Sequence, residues 1–313
     1  EMKILIFLIL AILVNLKKTD PDDDWLHAEG SRLFDKNGNE VWITGANWFG
    51  FNCIQNAPHY LWKGDVDFLL KAVADRGINT IRFPISSELL VSWMEGKPLP
   101  VSSVAANGDP SRKINPDFTE DDGVTLLNSM QIFDVIMDKL KKYGLKAFID
   151  IHSPHISNSG HNYPLWYGRG GVTTELWIKS LVWLAEKYKN DDTLLAYDLK
   201  NEPHGKGPGG DMSAKWDGST DENNWAYAAT RCADAILDVN PNALIFIEGV
   251  EQSLKGTDPG DHWGMPDDET NSPYYGAWWG GNLRGVREFP IKPKSGTSQI
   301  VYSPHDYGPS VYP

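Results

Sequence analysis

Six short, nearly continuous apolar runs end in polar residues, and four of them are followed by a segment with helical spacing. The pairs are 43–47 with 65–76, 78–84 with 124–143, 145–152 with 174–188, and 194–202 with 222–239; runs 243–249 and 299–306 close the series. An apolar run without alternation is a strand covered on both faces, and stripes such as Phe68, Leu69, Ala72, Val73 or Ile132, Ile136, Met137, Leu140 belong to helices that cover it. Strand and helix in strict alternation make a parallel α/β fold. No G-x-G-x-x-G or phosphate loop follows any strand. Instead Asn47, Arg82, His152, Glu202, Glu248 and His305 collect at the carboxyl ends of the runs, where barrels of this class build their sites. The expected fold is therefore a (β/α)8 TIM barrel, of which about six of eight βα units are present. A hairpin formed by 26–34 and 40–44 around Asp35-Lys36-Asn37-Gly38 is expected to precede it.

Charge and ring content narrow the ligand. A formal net charge of -13 repels phosphate backbones and anionic membranes, so no nucleic acid partner is expected. The 13 Trp and 12 Tyr exceed the needs of most cores, and such rings also stack on sugars. Two cysteines, Cys53 and Cys232, are too few for a disulfide framework and are read as separate buried thiols, one disulfide being the alternative. His152 and His155 lie three apart without further ligands in view, so neither metal nor cofactor is expected. Met2, Lys3 and the apolar run 4–14 have the pattern of a secretory signal and are too short to span a bilayer. The domain reading is a signal peptide at 1–18, an acidic linker at 19–24 and a catalytic domain over 25–313, from a secreted monomer with no membrane association after signal cleavage.

Residues 197–204 carry the chemistry. An apolar strand runs into Asn201-Glu202, and Pro203, with no N–H to offer a ladder, stops it. A strand-end glutamate can also merely cap a turn, so the tripeptide needs its context. That context is Asn-Trp-Phe-Gly-Phe at 47–51, Arg82-Phe83-Pro84, Asp150-Ile151-His152, Leu199-Lys200-Asn201-Glu202-Pro203-His204, Ile247-Glu248-Gly249-Val250, Trp278-Trp279-Gly280-Gly281-Asn282-Leu283, and Tyr302-Ser303-Pro304-His305-Asp306-Tyr307, in that order. Together they resemble the cellulases of glycoside hydrolase family 5, the endo-β-1,4-glucanase branch of a clan of retaining (β/α)8 glycosidases.

The resemblance implies hydrolysis of β-glucan by two carboxylates, with Glu202 as acid/base and Asn201 as donor to the sugar 2-hydroxyl. Partial burial and nearby negative charge are expected to lift the Glu202 pKa above that of its partner. By the same resemblance Arg82 orients the nucleophile, His152 and His305 contact substrate or carboxylates, and Tyr307 hydrogen-bonds the nucleophile. Trp48, Trp263, Trp278 and Trp279 are the candidates for stacking on glucose rings. Glu248 and Glu251 are read as structural carboxylates at the rim, because the family's nucleophile comes from strand seven. On this reading strands seven and eight and the nucleophile lie beyond Pro313, and the sequence is a fragment. The alternatives are a β-mannanase or xyloglucanase of the same family, or a non-catalytic glucan-binding relative.

Overall fold

The computed structural model describes residues 23–105, 115–157, 163–205, 213–254, 274–308 and 310. The expected signal, most of the linker and Trp263 lie outside these residues. The chain opens with β1 (His27–Glu29), β2 (Arg32–Phe34) and β3 (Glu40–Val41) in one antiparallel sheet. The expected hairpin is there between β2 and β3, and the Asp35 carboxylate accepts from the N–H groups of Asn37 and Asn39, both at 2.8 Å. Its first arm differs from expectation. Run 26–34 is not one strand but turns back at Gly30, whose φ of 61° suits a two-residue turn, so the sheet has three strands.

The main sheet is built from β4 (Gly45–Asn47), β5 (Thr80–Ser86), β6 (Lys146–Ser153), β7 (Leu194–Asp198) and β8 (Leu244–Ile247). After an antiparallel pair, β9 (Gln252–Leu254) and β10 (Tyr274–Gly276), it is completed by β11 (Ile300–Tyr302). The six strands pair in parallel in the order β11-β8-β7-β6-β5-β4, which is the succession of a (β/α)8 barrel. Helices α1 (Val66–Ala74), α2 (Ser87–Met94), α3 (Ser129–Lys142), α4 (Thr174–Lys187) and α5 (Trp225–Val239) cover its outer face. Each starts at a side chain that accepts an otherwise orphan N–H: Asp65, Ser86, Asn128, Thr173 and Asn224. Such a cap is worth about 0.5–2 kcal/mol. Helix α2 was not anticipated, since it follows β5 with no break except Ser86.

Side chains alternate across the strands, and the two faces of the sheet do different work. Outward residues such as Ile81, Phe83, Ile149, Tyr197 and Ile245 pack under the helices. Inward, Phe148 and Phe246 stack at 5.0 Å and form a floor with Leu26, Leu195, Ala196 and Leu244, against which Leu33 and Val41 of the antiparallel sheet pack. Two residues further along the same inward face come Asp150 after Phe148, Asp198 after Ala196, and Glu248 after Phe246. Cys53 and Cys232 are free and buried. Among the described residues no helix is long and apolar enough to cross a membrane.

Candidate active site

The inward carboxylates converge on one guanidinium. Arg82 stands third in the seven residues of β5, not at its end as expected. Its Nη1 lies 2.9 Å from Asp150, its Nη2 donates to Asp198 at 2.8 Å and to Glu248 at 3.2 Å, and Nη2 also reaches the Asn201 side-chain oxygen at 3.0 Å. Burial works against the cation, yet Asp150, Asp198 and Glu248 outweigh it and raise Arg82 above its ordinary value. Burial likewise resists the charge on Asp150, while Arg82 and His152, whose Nδ1 is 3.0 Å away, bring the net shift downward. Sequence reading missed Asp150 and Asp198 as members of the site. The signal was the two-residue step from each inward floor residue.

Beyond Asp198 the chain leaves the ladder, so Glu202 is not the last residue of a strand but sits in the segment that follows β7. Two fully buried indoles hold this rim from behind. Trp177 Nε1 donates to Leu199 O at 3.1 Å, and Trp225 Nε1 donates to Glu248 O at 2.8 Å. Glu202 has φ of 48°, a left-handed conformation that a non-glycine residue adopts at a cost of about 1–3 kcal/mol. Its N–H donates to Glu248 Oε2 at 2.6 Å, and its carbonyl accepts from His204 Nδ1 at 2.6 Å. The Asn201 side-chain oxygen accepts from Arg82, which turns its NH2 group the other way.

His305 bridges the two glutamates, with Nδ1 3.0 Å from Glu202 and Nε2 3.1 Å from Glu248. Burial opposes its charge, but the two carboxylates prevail and lift the imidazole to about 10. The glutamates shift apart. Burial and the Asp198 charge push Glu248 up to about 8 against His305 and Arg82. Burial also pulls Glu202 upward, but His305, His152 and Lys200 bring it below its ordinary value, the reverse of the expected direction. The hydrogen bond and charge of His305 set this direction, where nearby negative charge was anticipated to set the opposite one. Lys200, also missed in the sequence, is fully buried; its ammonium donates to the Asn201 carbonyl and to His152 O at 3.4 Å, and burial lowers it to about 8.

Glu248 is thus no rim carboxylate but the hub of the network, fully buried beneath Gly280. A Cβ at Gly280 would lie 2.4 Å from Glu248 Oε2 and 3.1 Å from Glu202 Cα, and its φ of 73° also favours glycine. Gly280→Ala is expected to lower stability by about 1–3 kcal/mol, read as a drop in melting temperature. An unchanged melting temperature would show that the loop yields freely. Glu251 takes the Gly205 N–H at 2.9 Å, in keeping with its structural reading.

Two tryptophans immediately precede Gly280, which closes over the carboxylates. Trp278 is 39% exposed and meets Tyr307 edge-on at 5.2 Å, and Trp279, 37% exposed, lies flat on His204 at 3.9 Å. Burial and the Glu202 carboxylate raise the Tyr307 hydroxyl, and His305 pairs with the same carboxylate. Trp48 is half-buried, stacks on Phe83 at 6.1 Å, and spends its indole N–H on His59 O at 2.9 Å. Asp198, Glu248 and His305 each offer a donor atom within 4.8 Å of the others, as a metal site would require. Arg82 pairs with Asp198 Oδ2 and Glu248 Oε1, and His305 Nε2 pairs with Glu248 Oε1, so ion pairs link these three groups to one another and to the guanidinium.

Comparison with known proteins gives a consistent picture. A family model described as cellulase (glycosyl hydrolase family 5) matches residues 34–313. Endoglucanase G of Acetivibrio thermocellus is 59% identical over 306 residues, covering 93% of this chain and 54% of that protein. Endoglucanase B of the same organism is 47% identical over 304 residues, covering 94% of this chain and 50% of that protein. The chain thus spans about half the length of these two relatives. Among solved structures, an endocellulase from Pyrococcus horikoshii, as a Glu-to-Ala variant with cellotetraose, superposes with a TM-score of 0.74 at 30% identity. That match covers 94% of this chain and 72% of the other.

Proposed function

Because this chain belongs to glycosyl hydrolase family 5, the cellulase family, we propose that it cleaves internal β-1,4-glucosidic bonds of cellulose, with Glu202 as acid/base. The observation that carries the reading is the Glu202 carboxyl group held by His305 at the carboxyl end of a parallel sheet, beside Asn201 and next to Gly280, which the exposed Trp278 and Trp279 immediately precede. A glucan laid on the tryptophans presents its glycosidic oxygen to Glu202 and a 2-hydroxyl to the Asn201 amide. Glu202 protonates the departing oxygen while a second carboxylate attacks the anomeric carbon, and water then opens the glycosyl-enzyme with Glu202 as base. Glu248 is not assigned that second role. Arg82, His305 and the Glu202 N–H engage its oxygens, and it is fully buried. The nucleophile is assigned to residues outside the described ones. A carboxylate facing Glu202 would also supply the negative charge that lifts it into the range of a general acid.

Two measurements test the assignment. Proton NMR of oligosaccharides released early in the reaction should show the β-anomer first, because double displacement retains configuration; an initial α-product excludes it. Carboxymethylcellulose should be cut internally, with rapid loss of viscosity. Faster hydrolysis of mannan or xyloglucan would move the protein to another specificity within the family. Secretion is proposed from the charged start and apolar run at 2–14, and the protein is expected in the medium, which fractionation of producing cells checks.

A further inference from the structure

One peptide unit at the site is held at both of its ends. The Asn201 carbonyl accepts from the Lys200 ammonium, and the Glu202 N–H, across the same peptide bond, donates to Glu248 Oε2 at 2.6 Å. A cation at the oxygen and a carboxylate at the hydrogen both favour one direction of the peptide dipole, so the orientation of the unit is fixed from two sides. The backbone turns over just here. Leu199 N donates to Phe246 O of β8 at 3.3 Å, whereas Asn201 N donates to Ile151 O of β6 at 3.0 Å. In an unbroken parallel strand residues two apart address the same neighbour, so Lys200 is where the strand rotates out of its ladder. The left-handed Glu202, at φ of 48°, follows.

Lys200 is a costly residue to place there. Its side chain is fully buried, where lysine is almost never found unless paired, and its ammonium also donates to His152 O at 3.4 Å. Glu248, Asp150, Glu202 and Asp198 favour its charge against burial, and that charge in turn acts on Glu202 and His204. The other cations of the network have different partners: Arg82 serves Asp150, Asp198 and Glu248 directly, and His305 bridges the two glutamates. What sets Lys200 apart from them is its hold on the backbone next to Glu202.

We propose that Lys200 is a positioning residue for the acid/base: by clamping the Asn201–Glu202 peptide against Glu248, it holds the Glu202 carboxyl group and the Asn201 amide in register with one sugar of the substrate. This rests on the assignment of Glu202 given above.

The test is Lys200→Met in the full-length protein, which keeps an unbranched apolar stem and removes the ammonium. Turnover on carboxymethylcellulose should fall about 10- to 100-fold, the cost of a displaced catalytic group. Hydrolysis of an aryl cellobioside with an activated leaving group, which needs little protonation, should fall far less. The Lys200 charge is one of the influences that hold Glu202 below its ordinary value, so removing it moves Glu202 up. The alkaline limb of kcat/KM, where the acid loses its proton, should therefore move to higher pH. Lys200→Gln, which offers the carbonyl a neutral donor, should recover part of the turnover and show the same displaced limb; it carries both readouts if the Met variant does not fold. A lysine with a merely structural role would lower the melting temperature and leave the pH profile and the ratio between the two substrates unaltered, and that result overturns the proposal. So does failure of both variants to fold, which would make Lys200 a requirement of the fold instead. If the unmodified protein leaves carboxymethylcellulose uncut, or Glu202→Gln keeps full turnover, the glucanase reading itself falls, whatever the Lys200 variants do.

Discussion

Glu202→Gln is expected to lower turnover on cellulose by about 10²- to 10⁴-fold while the protein keeps its fold. The amide fills the same volume and can still accept from His305 Nδ1, but it has no proton to give to a leaving alkoxide. Substrates with an activated leaving group need little protonation, so their glycosylation step should suffer far less. The substitution has a second reporter. His305 owes its lift to about 10 to the two glutamates it bridges, and losing one charge should bring its imidazole pKa down, which NMR titration of the ring reads directly. Near-normal turnover on unactivated glucan would show that the proton comes from elsewhere.

Arg82→Met should be the most destabilising single change at the site, costing about 3–5 kcal/mol at neutral pH. The cost comes from what stays behind: Asp150, Asp198 and Glu248 remain buried without the cation they share. The pH dependence fixes the cause. With Arg82 present, Asp150 titrates below its ordinary value, so its contribution is complete above the ordinary carboxylate range and is lost as pH falls through the lowered folded-state pKa. Without Arg82, burial dominates and Asp150 titrates above that range. The folded state then binds more protons than the unfolded state, and stability falls as pH rises. The gap between variant and unmodified protein should therefore narrow in denaturant titrations at about pH 4 and widen toward pH 7. A gap independent of pH would mean that lost packing around the guanidinium stem, rather than stranded charge, sets the cost.

Much of this could be read from the chain because burial on both faces leaves a strong imprint. Run 145–152 became Lys146–Ser153, and 174–188 became Thr174–Lys187, since apolar runs and stripes report burial directly. Helix α2 was hidden because its only announcement is Ser86, which is also the last residue of a strand. Glu202 and His305 were singled out in the sequence and the structure brings them together, but the partnership of Arg82 with Asp150 and Asp198 was not anticipated. It depends on the register of three strands far apart in the chain, with Arg82 level with Phe148 and Asp150 level with Asp198. Glu248 was misjudged for a related reason. That a loop some thirty residues later closes over it depends on Gly280, and nothing local to Glu248 announces that approach. Lys200 was passed over because lysine is almost never fully buried unless paired, and its carbonyl partners become visible only once β6 and β7 are side by side.

The stacked Phe148–Phe246 pair and its apolar neighbours lie between the antiparallel sheet and the carboxylates. Stability and, on the proposed function, polymer choice are thereby written in different parts of the chain, and a lineage can revise one while conserving the other. Residues such as Leu33 and Val41, which press on that floor from outside, are free to drift toward tighter or looser packing as habitat temperature changes. The exposed segment around Trp278 and Trp279 answers instead, on the proposed function, to the polymer it meets. A library that randomises the two regions separately, and then combines the winners, should find their effects nearly additive, because the layer between them transmits little from one to the other.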